Sequence, residues 1–111
     1  MSWLSFICRL LTGLGLLSLE SNSLMGTVPT QLGEIFGVTT LDLSDNSFTG
    51  TLSTQLGQLT QLFDLCLNKN NFNGVLPTEL GRITSLLSLY LQDSKFTGTL
   101  PTQLGTLMSL R

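Results

Sequence analysis

Leu17, Leu41, Leu65 and Leu89 stand 24 residues apart, and each is followed two positions on by a second leucine, Leu19, Leu43, Leu67 and Leu91. Two glycine columns keep the same step, Gly26, Gly50, Gly74, Gly98 and Gly33, Gly57, Gly81, Gly105. Self-similarity at one fixed period of this length predicts a solenoid, in which each repeat is one coil. The repeats run 14–35, 38–59, 62–83 and 86–107, with a partial repeat over 1–11 and the start of another over 108–111. All belong to a single domain, since each coil buries its apolar face only against the next.

The order of residues within a coil predicts its local structure. L-x-L has a period of two, so it reads as a short strand with both leucines facing inward. Asn22, Asn46 and Asn70 follow at the turn, where an amide offers both donors and an acceptor to the backbone of adjacent coils. Ser94 takes this place in the fourth repeat. A single hydroxyl cannot reproduce the bonds of the amide, so that turn should be weaker. Leu24, Phe48, Phe72 and Phe96 form a column suited to filling the core at the bend. Glycine then permits positive φ, and G-x-L-P gives a short extended segment that Pro ends. Ser53 replaces Pro in the second repeat. Thr30, Thr54, Thr78 and Thr102 come next, placed to cap a single helical turn.

Composition narrows the function. Only 11% of the 111 residues are charged, the net charge is −2, and there is no His. This gives no basic footprint for nucleic acid, and it removes the commonest general base and the commonest neutral metal ligand. Neither an enzyme nor a cofactor or metal site is expected. An open sheet implies no pocket, and no spaced ligand loop for calcium is present. Cys8 and Cys66 read as free thiols, because their columns lie too far apart for a disulfide. The apolar opening around Trp3 to Leu11 lacks a preceding basic residue and is too short to span a membrane. The repeat frame accounts for it, since Leu4, Cys8 and Leu11 match Val28, Leu32 and Ile35.

From about Leu14 onward these residues resemble the plant-type leucine-rich repeats, L-x-x-L-x-L-x-x-N-x-L-x-G-x-I-P-x-x-L-G-x-L. The departures are Ser53, Ser94 and Phe for Leu in the turn. The resemblance implies an α/β right-handed solenoid. Its short parallel sheet lies on the concave side, a second short sheet at G-x-[LVI]-P, and 3-10 or short helical turns on the convex side. It also implies a protein- or peptide-binding scaffold, as in receptor-like kinase ectodomains or secreted inhibitors, with an extracellular or plasma-membrane-associated location. Such arrays are usually longer and capped. The expectation is therefore a piece of a longer array, or a unit that stacks on further repeats or on itself.

The residues flanking the inward leucines would project from the concave sheet. They include five acids, Glu20, Asp42, Asp45, Asp64 and Asp93, opposed by Lys69 alone. That gives the face a net charge of about −4 and favours a cationic protein or peptide. Phe63 and Tyr90 are candidate anchors, as aromatics dominate interface energetics. Two other readings stand beside this one. The face is merely solvated and the repeat purely structural, or the threonine rows, Thr27, Thr51, Thr99 and the Thr30 column, match ordered water as in ice-binding solenoids.

Overall fold

A computed structural model describes residues 15–98. The opening coil with Cys8, the Thr99, Thr102 and Gly105 positions and the last partial repeat lie outside the described residues. Seven strands lie among the described residues: β1 Leu16–Ser18, β2 Met25–Thr27, β3 Thr40–Asp42, β4 Ser47–Gly50, β5 Asp64–Cys66, β6 Asn71–Phe72 and β7 Ser88–Tyr90. They form two parallel sheets, one of β1, β3, β5 and β7, the other of β2, β4 and β6. Three 3-10 turns among the described residues, Thr30–Glu34, Thr54–Gln58 and Thr78–Arg82, supply the helical part of the first three coils. No helix among the described residues is long and apolar enough to cross a membrane.

In the first sheet Leu17 pairs with Leu41, Leu41 with Leu65 and Leu65 with Leu89. Sequence columns are therefore spatial columns there. The core between the sheets and the 3-10 turns is continuous, and Leu41, Leu43, Leu65, Leu67, Leu32 and Leu80 are fully buried. The Phe column fills the bend as its periodicity predicts. The Phe48 and Phe72 rings stack with centroids 6.0 Å apart, and the Phe72 and Phe96 rings at 5.7 Å.

The asparagine ladder joins the coils. Asn46 Nδ2 donates to Leu19 O at 2.8 Å in the preceding coil and to Leu43 O and Ser44 O in its own. Its Oδ1 accepts from the Asn22 and Leu24 amides. Asn70 repeats the pattern one coil on, donating to Leu43 O and accepting from the Phe48 amide. Ser94 keeps one bond of this set, Oγ to Leu67 O at 2.9 Å.

Two expectations change. The strands of the second sheet lie earlier than G-x-[LVI]-P in the second and third repeats, where they run through Phe48 and Phe72. Their pairing is also displaced, Met25 with Ser47 and Gly50 with Phe72. Nor do the threonines cap the 3-10 turns. The cap position is Pro29, Ser53 or Pro77, in extended conformation, and Thr30, Thr54 and Thr78 are the first residues inside the turn. Pro has no side-chain acceptor. Ser53 does, and its Oγ accepts from the Gln55 amide at 3.0 Å, so the one departure from Pro gains a cap.

The glycine columns divide by role. Gly26, Gly50, Gly74 and Gly98 hold φ of +83°, +81°, +74° and +73°, the left-handed region closed to most side chains. Gly33 and Gly57 instead permit contact between coils: a Cβ on Gly57 would lie 2.5 Å from Glu79 O, and one on Gly33 2.4 Å from Gln55 O.

Candidate binding face

The outward positions of the first sheet form two straight columns. One holds Leu16, Thr40, Asp64 and Ser88; the other holds Ser18, Asp42, Cys66 and Tyr90. Strand alternation explains both, since Leu17, Leu41 and Leu65 are buried, Leu89 is half-buried, and their neighbours must face out. Phe63 and Leu87 precede their strands in a third column, with the Leu87 amide donating to Phe63 O at 2.8 Å. Pairing these columns brings together side chains that the sequence keeps 24 residues or more apart.

The acids meet at Cys66. Its thiol is pushed up from 9.0 to about 11, first by burial and then by the negative fields of Asp42, Asp64 and Glu20. Both forces disfavour a thiolate. Asp42 pairs directly with Cys66 across the ladder, while Asp64 is on the same strand two residues before it. Asp42 is held in place by Ser44, whose amide and hydroxyl both donate to Asp42 Oδ1, at 3.0 and 2.6 Å. Ser44 counted among the projecting positions by sequence, yet it is buried at 8% exposure beneath this contact.

The other three charged candidates sit elsewhere. Asp45, Lys69 and Asp93 have φ of +56°, +57° and +58°, with Ser21 alike at +58°. They form the left-handed turn that ends each strand. Its amides donate onward between coils, Ser21 N to Ser44 O, Asp45 N to Asn68 O and Lys69 N to Gln92 O, at 3.0–3.1 Å. Ser21 Oγ donates to Asp45 Oδ2 at 2.9 Å, which ties that carboxylate to the turn. So Glu20, Asp42 and Asp64 gather on the face, whereas Asp45, Lys69 and Asp93 line its rim. The signal was present in part, because Asp tolerates left-handed backbone, but Lys69 conceals it.

Among the aromatic candidates, Phe63 is 37% exposed and Tyr90 46%. Leu87 at 45% and Leu16 at 60% are further exposed apolar side chains of the same face. Cys66 is a residue that sequence reasoning missed: as a lone thiol it carried no motif, and only the strand register shows Asp42 beside it, with Asp64 on its own strand. Among the described residues no group of three His, Cys, Asp or Glu could hold a metal ion.

Solved structures similar to this chain include plant proteins. The Leucine Rich Repeat family pattern matches residues 37–59 and 85–107, within the second and fourth repeats. The BIR3–SERK2 complex of Arabidopsis thaliana contains a chain with 34% identity and a TM-score of 0.83, matched over 87% of this chain and 52% of that one. The Arabidopsis receptor kinase HAESA, solved with the peptide hormone IDA and the co-receptor SERK1, has 30% identity and a TM-score of 0.86, over 90% of this chain and 17% of that one. A plant ice-binding protein has 28% identity and a TM-score of 0.86, over 93% of this chain and 33% of that one. The chain thus spans about half the length of the first of these structures and less of the others. No curated protein sequence matches it significantly. The 24-residue repeat, the two parallel sheets and these likenesses make the chain a member of the leucine-rich-repeat family, of the plant type.

Proposed function

We propose that the first sheet is a docking surface for a protein or peptide that carries positive charge, and that the chain acts as a binding scaffold rather than as an enzyme. The observation that carries this is the meeting of Glu20, Asp42 and Asp64 around Cys66, from three coils, on a face that packing does not need. All three carboxylates direct negative field at this part of the face, and a cationic group docked there would be attracted by it. The HAESA structure, with its peptide hormone, is a relative of the same fold that holds a peptide. A receptor-like role at the cell surface fits this use.

Panning a displayed random-peptide library on the folded chain tests the reading. Peptides enriched in Lys and Arg should emerge, and Asp42→Asn with Asp64→Asn should release them. Selected peptides without basic enrichment, or retained equally by the double variant, would contradict it.

A second reading has one observation in its favour. Thr30, Thr54 and Thr78 are exposed and do not cap their turns, so local structure leaves that column unexplained. The likeness to a plant ice-binding protein points the same way. Thr27 and Thr51 are less free, since a Cβ on Gly50 or Gly74 would meet their methyls at 2.8 and 2.7 Å, and Val75 interrupts their row. Thermal hysteresis that vanishes in Thr54→Val with Thr78→Val would favour this reading, and freezing behaviour like that of an inert protein would remove it.

A further inference from the structure

The binding face changes character along the solenoid axis. Its acids come from the first three coils. Its large exposed apolar groups, apart from Leu16, come from the last two: Phe63, Leu87 and Tyr90. Phe63 and Leu87 stand side by side in one column, and Tyr90 follows Cys66 in the column of Asp42. An acidic half therefore adjoins an apolar half along one straight row, Asp42, Cys66, Tyr90. Resting on the binding role proposed above, we propose that this face reads a polyproline-II-like peptide segment in which a Lys or Arg stands three positions from an aliphatic or aromatic residue. The segment lies across the strands, with its cation over Asp42 and Asp64 and its apolar side chain between Leu87 and Tyr90.

Spacing selects that partner. Asp42 and Tyr90 lie in one column two strands apart, which is about 9.6 Å at the usual strand separation. A polyproline-II segment rises about 3.1 Å per residue and returns to the same face every third residue, so its i and i+3 side chains are about 9.3 Å apart and parallel. A fully extended β segment does not fit: its same-face residues are about 6.6 or 13 Å apart. Charge supplies the direction. The cation belongs at the earlier coils because Glu20, Asp42 and Asp64 are there, and the apolar residue belongs where Leu87 and Tyr90 are exposed. An arginine suits Asp42 well, since Ser44 occupies Oδ1 alone and fixes the carboxylate for a charge-assisted bond.

The test is fluorescence anisotropy with three short labelled peptides of Pro, Ser, one Arg and one Leu. They are alike in composition, with Arg and Leu one, three or six positions apart. The three-position peptide should bind about 10-fold or more tighter than either control, a difference of about 1.4 kcal/mol. Asp42→Asn and Tyr90→Ser should each remove that advantage. Tyr90 is exposed, so its variant keeps the fold and leaves the test valid if Asp42→Asn disturbs the strand. Equal binding of all three peptides, weakened together by Asp42→Asn with Asp64→Asn, would overturn the spacing while leaving the acidic docking face intact. Absence of binding by any peptide at millimolar concentration would overturn both.

Discussion

The two sheets carry one repeat in two registers. In the first, Leu17 pairs with Leu41 and Asp42 with Cys66, so each coil lies squarely on the last. In the second, Met25 meets Ser47 and Thr49 meets Asn71, a slip of two residues per coil. Because the slip is even, side chains keep their faces, and Phe48 and Phe72 still stack inside. The outward rows differ in consequence. On the first sheet, residues that align in the sequence align in space, and Asp42 and Asp64 stand in the two outward columns on adjacent strands. On the second, Thr27 stands beside Thr49 rather than beside Thr51. A site built from aligned residues belongs on the first sheet.

The comparison is broken most severely from the second sheet. Phe72→Ala removes both ring contacts of a fully buried side chain and should cost about 4 kcal/mol in urea denaturation. If the first sheet holds its own register, the Cys66 titration should not move in that variant. Asn46→Ala acts where the sheets join: it takes one of two side-chain amide donors from Leu19 O and leaves the Asn22 and Leu24 amides without their acceptor. The expected loss is about 2 kcal/mol. Ser94→Asn runs the other way. It restores the amide to the fourth coil and should raise stability by about 1 kcal/mol, most visibly as slower amide exchange at Phe72, whose N–H the new side-chain oxygen would accept as Asn70 Oδ1 accepts that of Phe48. Lys69→Asn is the smallest, a gain of about 0.7 kcal/mol in the same denaturation assay, because Asn occupies left-handed backbone more readily than Lys.

How much of this could be read in the sequence follows from what each residue needs. The leucine, asparagine and phenylalanine columns were legible because burial and backbone pairing act on side-chain type alone. Gly50 and Gly74 were legible because only positive φ keeps a glycine in such a column. Gly57 was visible as a column but not as a reason, since its constraint is the Glu79 carbonyl of the next coil. The threonine cap failed because a cap is a backbone conformation, and the extended residue proved to be the preceding Pro or Ser. The second sheet's slip left no mark on a strictly periodic sequence. For the face, the acids were legible as a set but not as a cluster. Strand register brings Asp42 and Asp64 to neighbouring strands, and left-handed turns carry Asp45, Lys69 and Asp93 to the rim.

That gathering can be measured without any ligand. With Cys8 replaced by Ser, Cys66 is the chain's one thiol, and its ionisation is followed by thiolate absorbance. Folding holds its proton more tightly than the unfolded chain does. The group's contribution to stability is therefore present below about pH 9 and is lost as pH rises through about 11. The account predicts a midpoint near 11 that falls toward 9.0 when Asp42 and Asp64 become Asn. A midpoint near 9.0 that the two substitutions leave unchanged would contradict it.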